Sequence, residues 1–224
     1  MTQTNQKAFS EVYSAYAAGC LDPAFAMMVE AQSLLRPEIR QSILVSEMIS
    51  GSLLETAPEA RLNEGALDRA LAAIDALEAA EALSVRAGRA AGEAMDEILA
   101  LPEPVRGAAL EAIGRKGWQA MGPGLKRLTL ETGSSMETEL YRIAPGARIA
   151  RHTHAGSEYT LVLAGGFTDE RGSYGPGDVI ISGPDDCHQP VGDQGGVCFA
   201  LAVRDGGLRF TGMIGVIQRL LGAQ

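Results

Sequence analysis

Gly146-Ala147-Arg148-Ile149-Ala150-Arg151-His152-Thr153-His154-Ala155-Gly156-Ser157-Glu158-Tyr159-Thr160-Leu161-Val162-Leu163-Ala164-Gly165 decides how this chain is read, because it spaces two imidazoles and a carboxylate as G-x5-H-x-H-x3-E-x6-G. His152 and His154 are separated by one position, so on an extended strand of period two they share a face. Glu158 follows the Ala155-Gly156-Ser157 turn, and a hairpin-like reversal there brings its carboxylate back beside the imidazoles. The remaining histidine of the 224 residues is His188, which follows the Gly177-Asp178 turn and an apolar run. Histidines kept for packing would be scattered along the chain, whereas all three fall in one candidate site. Such nitrogen and oxygen donors suit zinc, iron, manganese, nickel or copper, and the residues alone do not select among them. The competing reading is a set of surface or hydrogen-bonded core histidines.

The quoted spacing is the first motif of the cupin superfamily, which the chain resembles at every fixed position of that motif. The second motif is matched more loosely by Gly177, Pro184 and His188: Pro184 sits one place late, Asp185 stands where a Gly is usual, and Gly192 replaces the usual Asn. The resemblance implies a cupin-type antiparallel β-barrel or jelly roll carrying one divalent metal on His152, His154, Glu158 and His188. Zinc is the first choice by family likeness, with iron, nickel or manganese open. Gly146, Gly165 and Gly177 are turn residues, not ligands. Cupin barrels often associate, so the resemblance leaves a homo-oligomer open.

Composition narrows the setting. Apolar residues make up 46% of the chain, enough for a core. No apolar run approaches the ~20 residues of a membrane helix, so no membrane role is expected. The start MTQTNQKAFS has no signal-peptide character, and Cys20, Cys187 and Cys198 do not suggest a disulfide framework, so a cytoplasmic location is expected. A net charge of −9 argues against direct nucleic-acid binding, whose non-specific part is electrostatic. Residues 1–85 hold 12 acidic against 5 basic side chains, read either as a solvated helical surface or as a match for a basic partner.

The chain divides by texture. Residues 1–85 predict a bundle of about four helices near 6–18, 23–35, 37–53 and 63–83, with starts marked at Asp22-Pro23 and Asn63-Glu64. Leu67, Leu71, Ile74 and Leu77 lie along one face of the last. Phe9, Val12, Tyr16, Phe25, Met28, Val29, Ile39, Ile43 and Leu44 are its expected core. Residues 86–115 read as a helical or partly mobile connector through Leu101-Pro102-Glu103-Pro104. Residues 116–212 turn to β, with runs at Leu125–Leu130, Met136–Ile143, Tyr159–Ala164, Asp178–Ile181 and Val197–Val203. Leu161, Leu163, Val179, Ile181, Phe199 and Leu201 are expected as barrel interior or interface. Residues 213–224 form a tail, with a return to helix expected at Met213–Leu221. The fold class is therefore α+β.

Taken together, the two halves resemble the ChrR family of anti-sigma factors, in which a small helical domain precedes a cupin-like one. The residues carrying this are Ala15-Tyr16-Ala17-Ala18-Gly19 with Phe25, Gly51 to Pro58, Glu64-Gly65, Phe167-x-Asp169-Glu170, Gly175-x-Gly177-Asp178 and Leu208-Arg209-Phe210. One departure is large: where that family's helical domain has the zinc motif H-x3-C-x2-C, this chain has Gln32, Arg36 and Ile39. Its helices are expected to fold by packing without metal.

The resemblance implies an extracytoplasmic-function sigma factor as partner, held inactive by residues 1–85, with the metal-bound domain linked to release under oxidative stress such as singlet oxygen. Cys187, next to His188, is the oxidisable side chain to watch, against the plainer reading of a small core cysteine. The competing class is a metal-dependent cupin enzyme: a dioxygenase, isomerase or decarboxylase. No second catalytic constellation selects a reaction. Glu137, Glu139 and Tyr141 alternate along one strand and are read more simply as solvent-facing, and Arg151 as a surface ion-pair partner. A third reading is a stand-alone metal sensor that no longer engages a sigma factor.

Overall fold

The computed structural model of the protein describes residues 11–75, 93–205 and 208–210. The expectations for Phe9, Leu77 and Met213–Leu221 fall outside these. Helix α1 covers 11–17, α2 Pro23–Leu35, α3 Pro37–Glu55, α4 66–75, α5 Glu93–Leu99 and α6 Val105–Arg115. Asp22 caps α2 by accepting the Ala24 amide at 2.9 Å, with Pro23 in the first turn, where its missing N–H costs nothing. Pro37 opens α3 and forces Arg36 out of the helical region, to φ −131° and ψ 100°, so one residue ends α2 and begins α3. Within the expected connector, α5 and α6 flank a short turn at 100–104, and Met95, Ile98, Leu101, Val105 and Ala109 are all buried in the main core.

Among the described residues eleven strands follow. β1 (Gln119–Gly122), β2 (Leu125–Thr129), β3 (Glu137–Ile143), β10 (Cys198–Arg204), β5 (Glu158–Ala164) and β8 (Val179–Ser182) form, in that order, one antiparallel sheet. β7 (Gly172–Tyr174), β6 (Phe167–Asp169) and β9 (Val191–Gly192) form a second, and β11 (Leu208–Phe210) pairs with β4 (His152–His154) as a third. The cupin-type β architecture expected from the sequence is thus present as three sheets instead of one closed barrel. Gly165 shows why its position demands glycine: φ is +62°, and a Cβ would collide with the Val197 carbonyl.

The centre of the six-stranded sheet is buried on both faces. Leu161, Leu163, Phe199, Leu201 and Val203 point outward and share a core with Met28 and Val29 of α2 and Val105 and Ala109 of α6. Their strand neighbours Val162, Cys198, Ala200 and Ala202 point inward with Tyr141, Ile143 and Phe167. Of the residues expected as barrel interior or interface, those on β5 and β10 are interface to the helices. Every residue of β10 is buried, which is why its sequence lacks a polar face.

One helical expectation is corrected. Leu44 is exposed, because α3 buries only Ile39 and Ile43. Leu67, Leu71 and Ile74 share a face of α4 as expected, and that face is exposed. No helix among the described residues is long and apolar enough to cross a membrane.

Candidate metal centre

The site starts from a backbone pairing. His152 and His188 face each other as an antiparallel bridge, exchanging both amide hydrogen bonds at 3.1 and 3.0 Å. His154 lies two residues along β4 on the same face, so both rings are buried while Thr153 between them is not. The three rings converge through their ε nitrogens: Nε2 of His188 is 3.2 Å from Nε2 of His152 and 3.2 Å from Nε2 of His154. Among the described residues, these three make the one His/Cys/Asp/Glu group whose donor atoms lie close enough together to hold a metal ion.

Hydrogen bonds fix which nitrogen faces inward. His152 Nδ1 is 2.8 Å from the Ala150 carbonyl and His188 Nδ1 is 2.9 Å from Asp169 Oδ2, acceptors that require a proton on each Nδ1. Both rings in their neutral form therefore turn unprotonated Nε2 atoms toward each other. Burial pushes the His152 imidazole down to about 4, and lowers His154 as well. Neutral imidazoles with converging lone pairs repel one another unless a cation or a proton sits among them. His154 Nδ1 is buried with no hydrogen-bond partner among the described residues, a polar atom that calls for an occupant of the site. The donor set thus fits a divalent metal.

Glu158 is placed differently from the imidazoles. Its carboxylate is buried, with Oε2 3.8 Å from His154 Nδ1, beyond hydrogen-bonding reach. Oε1 accepts from the Thr160 hydroxyl at 3.1 Å, and Oε2 lies 3.6 Å from Arg204 Nη1. The structure therefore gathers three of the four expected donors tightly and sets Glu158 beside them.

Asp169 and Arg204 were not read from the sequence as parts of this site. Asp169 Oδ1 accepts the Arg171 and Gly172 amides at 2.8 and 3.2 Å and so shapes the β6–β7 turn, while Oδ2 orients His188. Burial alone would raise this carboxyl, but the bonds from His188 and Arg171 hold it below its usual value. Arg204 continues the inward face of β10 two residues after Ala202. It binds Glu137 at 2.7 Å, Glu139 at 2.6 Å and the Tyr141 hydroxyl at 2.9 Å. Tyr141 in turn donates to Glu139 at 2.6 Å, and Arg127 reaches Glu139 at 3.0 Å. The expected solvent exposure of Glu139 and Tyr141 is thereby corrected: both are buried, because two guanidiniums meet the carboxylate. Period two from Cys198 was the signal that could have found Arg204.

A cavity of about 430 Å3 adjoins the site, bounded by His152, His188 and Glu158 and otherwise largely apolar, with Leu125, Ile143, Phe167 and Ile180 in its wall. Arg151 makes a half-exposed ion pair with Glu170 at 2.8 Å, as expected. Cys187 is exposed, which removes the reading of a core cysteine.

A family model described as the ChrR Cupin-like domain matches residues 107–204. The anti-sigma-E factor ChrR of Cereibacter sphaeroides is 33% identical over 202 residues, covering 90% of each chain. The crystal structure of Rhodobacter sphaeroides SigE in complex with the anti-sigma ChrR matches with a TM-score of 0.63 and 30% identity, over 88% of this chain and 96% of that one.

Proposed function

The chain belongs to the ChrR family of anti-sigma factors, and from that premise we propose that it binds an extracytoplasmic-function sigma factor in the cytoplasm and holds it inactive. The observation that carries this reading is the likeness to ChrR along both halves, the helical one included. The surface of the helical half supports it. Leu44, Val45, Met48, Ile49 and Leu53 run as a stripe along α3, with Met48 73% and Leu53 68% exposed, and α4 adds Leu67, Leu71 and Ile74. A contiguous apolar face of this kind on a chain of net charge −9 suits burial by another protein and not by nucleic acid.

His152, His154 and His188 hold one divalent cation in this reading, with Glu158 as the fourth donor; zinc is the first choice, and iron, nickel or manganese follow. Such an ion would supply a cross-link between β4 and the bridge residue His188. Asp169 and the Ala150 carbonyl keep the rings aimed, and the Arg204 network holds Glu158 beside them. Release of the partner under oxidative stress such as singlet oxygen belongs to the same reading, with exposed Cys187 beside a ligand as one oxidisable group.

Co-expression with candidate sigma factors tests the partner. A stable complex that blocks transcription in vitro is expected, and no complex with any of them overturns the reading. Metal analysis of the purified protein, expected at one ion per chain and none in His188→Ala, tests the centre. The cavity favours a second reading, a metal-dependent enzyme acting on a small apolar molecule; turnover of such a substrate by the loaded protein would support it.

A further inference from the structure

We propose that Gln32 and Arg36 form a latch that docks the sigma-binding helices on the Gly175–Asp178 turn of the β half, and that partner affinity depends on this seam being closed. The proposal rests on the reading that these helices bind the sigma factor. Gln32 is fully buried and both ends of its amide are used: Oε1 accepts from the Tyr13 hydroxyl of α1 at 2.9 Å, and Nε2 donates to the Gly177 carbonyl at 2.9 Å. A buried amide with one partner in each half is costly to leave unmatched, so it fixes one register of docking. Arg36 adds a fork. Its Nε donates to the Pro176 carbonyl at 2.9 Å and its Nη2 to Asp178 Oδ1 at 2.9 Å, while Asp178 Oδ2 closes the turn by accepting the Gly175 amide at 2.9 Å.

The turn is shaped to receive it. Gly177 has φ +84°, and a Cβ there would overlap the Cγ, Cδ and Nε of Arg36, so glycine serves the seat as well as the turn. Arg36 is presented at the corner because Pro37 holds it extended. Around this polar centre the seam is continued by the edge-on contact of Phe25 with Tyr159, ring centroids 4.8 Å apart, and by the Ser134 hydroxyl donating to Asp22 at 2.8 Å.

The far side of the turn leads to the metal centre. The Gly177 amide bonds to Val162 of β5 at 2.8 Å, and β8 runs from Val179 to Ser182. Ser182 accepts from Arg171, which also lies 3.4 Å from His188 Nδ1. This short strand thus connects the latch at its start to Ser182 at its end, which reaches the histidine cluster through Arg171. A closed seam braces α1, α2 and the corner into α3, and so preorganises the apolar stripe for its partner.

The experiment uses the full chain and the sigma factor recovered by co-expression, comparing wild type with the double variant Gln32→Ala, Arg36→Ala. Amide exchange in residues 23–35 is expected to quicken by at least about tenfold, with β10 unchanged, as for the loss of one net hydrogen bond or more. Affinity for the sigma factor is expected to fall by at least about tenfold. Unchanged exchange in α2, or quickened exchange with unchanged or tighter binding, overturns the proposal. Should the double variant not fold, Arg36→Met and Gly177→Ala, which open the seam from its two sides, are read by the same criteria. If wild type binds no sigma factor, the functional reading fails, whereas the exchange result still reports on the latch.

Discussion

The β10 strand and the α3 helix are built from similar apolar residues and treat them in opposite ways. All seven residues of β10 are buried between the helices on one side and the cavity on the other, whereas α3 buries Ile39 and Ile43 and leaves Leu44, Val45, Met48, Ile49, Leu53 and Leu54 exposed. Hydrophobic free energy is thus complete within the β half and left open in the helical half, where about 25 cal/mol for each Å2 awaits a covering surface. One region is covered by packing within the chain and holds a polar site; the other is organised to be finished by a second protein.

The largest break in this contrast comes from inside the β half. Arg204→Ala leaves Glu139 buried without its main partner, and a loss of about 3–5 kcal/mol is expected in urea unfolding; a loss under 1 kcal/mol would show that the buried charges relax into water. Next, Met48→Asp combined with Leu53→Asp places charge on the α3 stripe. Sigma-factor affinity is expected to drop about 30-fold or more, while stability moves by only about 0.5 kcal/mol because both positions are exposed; equal affinity would move the partner site elsewhere. Asp169→Asn keeps the shape but weakens the acceptor behind His188, and a chelator competition is expected to report about 10–100-fold weaker metal binding. The smallest effect is expected from Cys187→Ser, within about 0.5 kcal/mol of wild type in stability. Oxidative release of the partner retained in that variant would remove this thiol from the response.

The histidine cluster was legible because period two governs His152 and His154 and because the chain has so few histidines. Helix starts were legible at Asp22-Pro23 for a local reason, a cap followed by proline. What escaped the sequence depends on contacts made at long range. Glu158 was found by spacing, but its orientation comes from Thr160 and from Arg204 on the neighbouring strand. Leu161 and Leu201 were recognised as buried, yet which side they faced could not be read, since helices cover one face of the sheet and the cavity lies on the other. Glu139 looked like surface polarity because the two arginines that neutralise it lie 12 and 65 residues away. Leu44 of α3 looked like core for the complementary reason: periodicity shows that a face must be covered, not by which chain.

The paired main chains of His152 and His188 carry one more consequence. Their imidazoles are brought together by the strand ladder itself, so the socket is templated before any ion arrives, unlike small zinc modules that collapse when stripped. Chelation followed by resupply is therefore expected to cycle the centre without denaturing the fold, giving a reversible occupancy gauge instead of a one-way fuse.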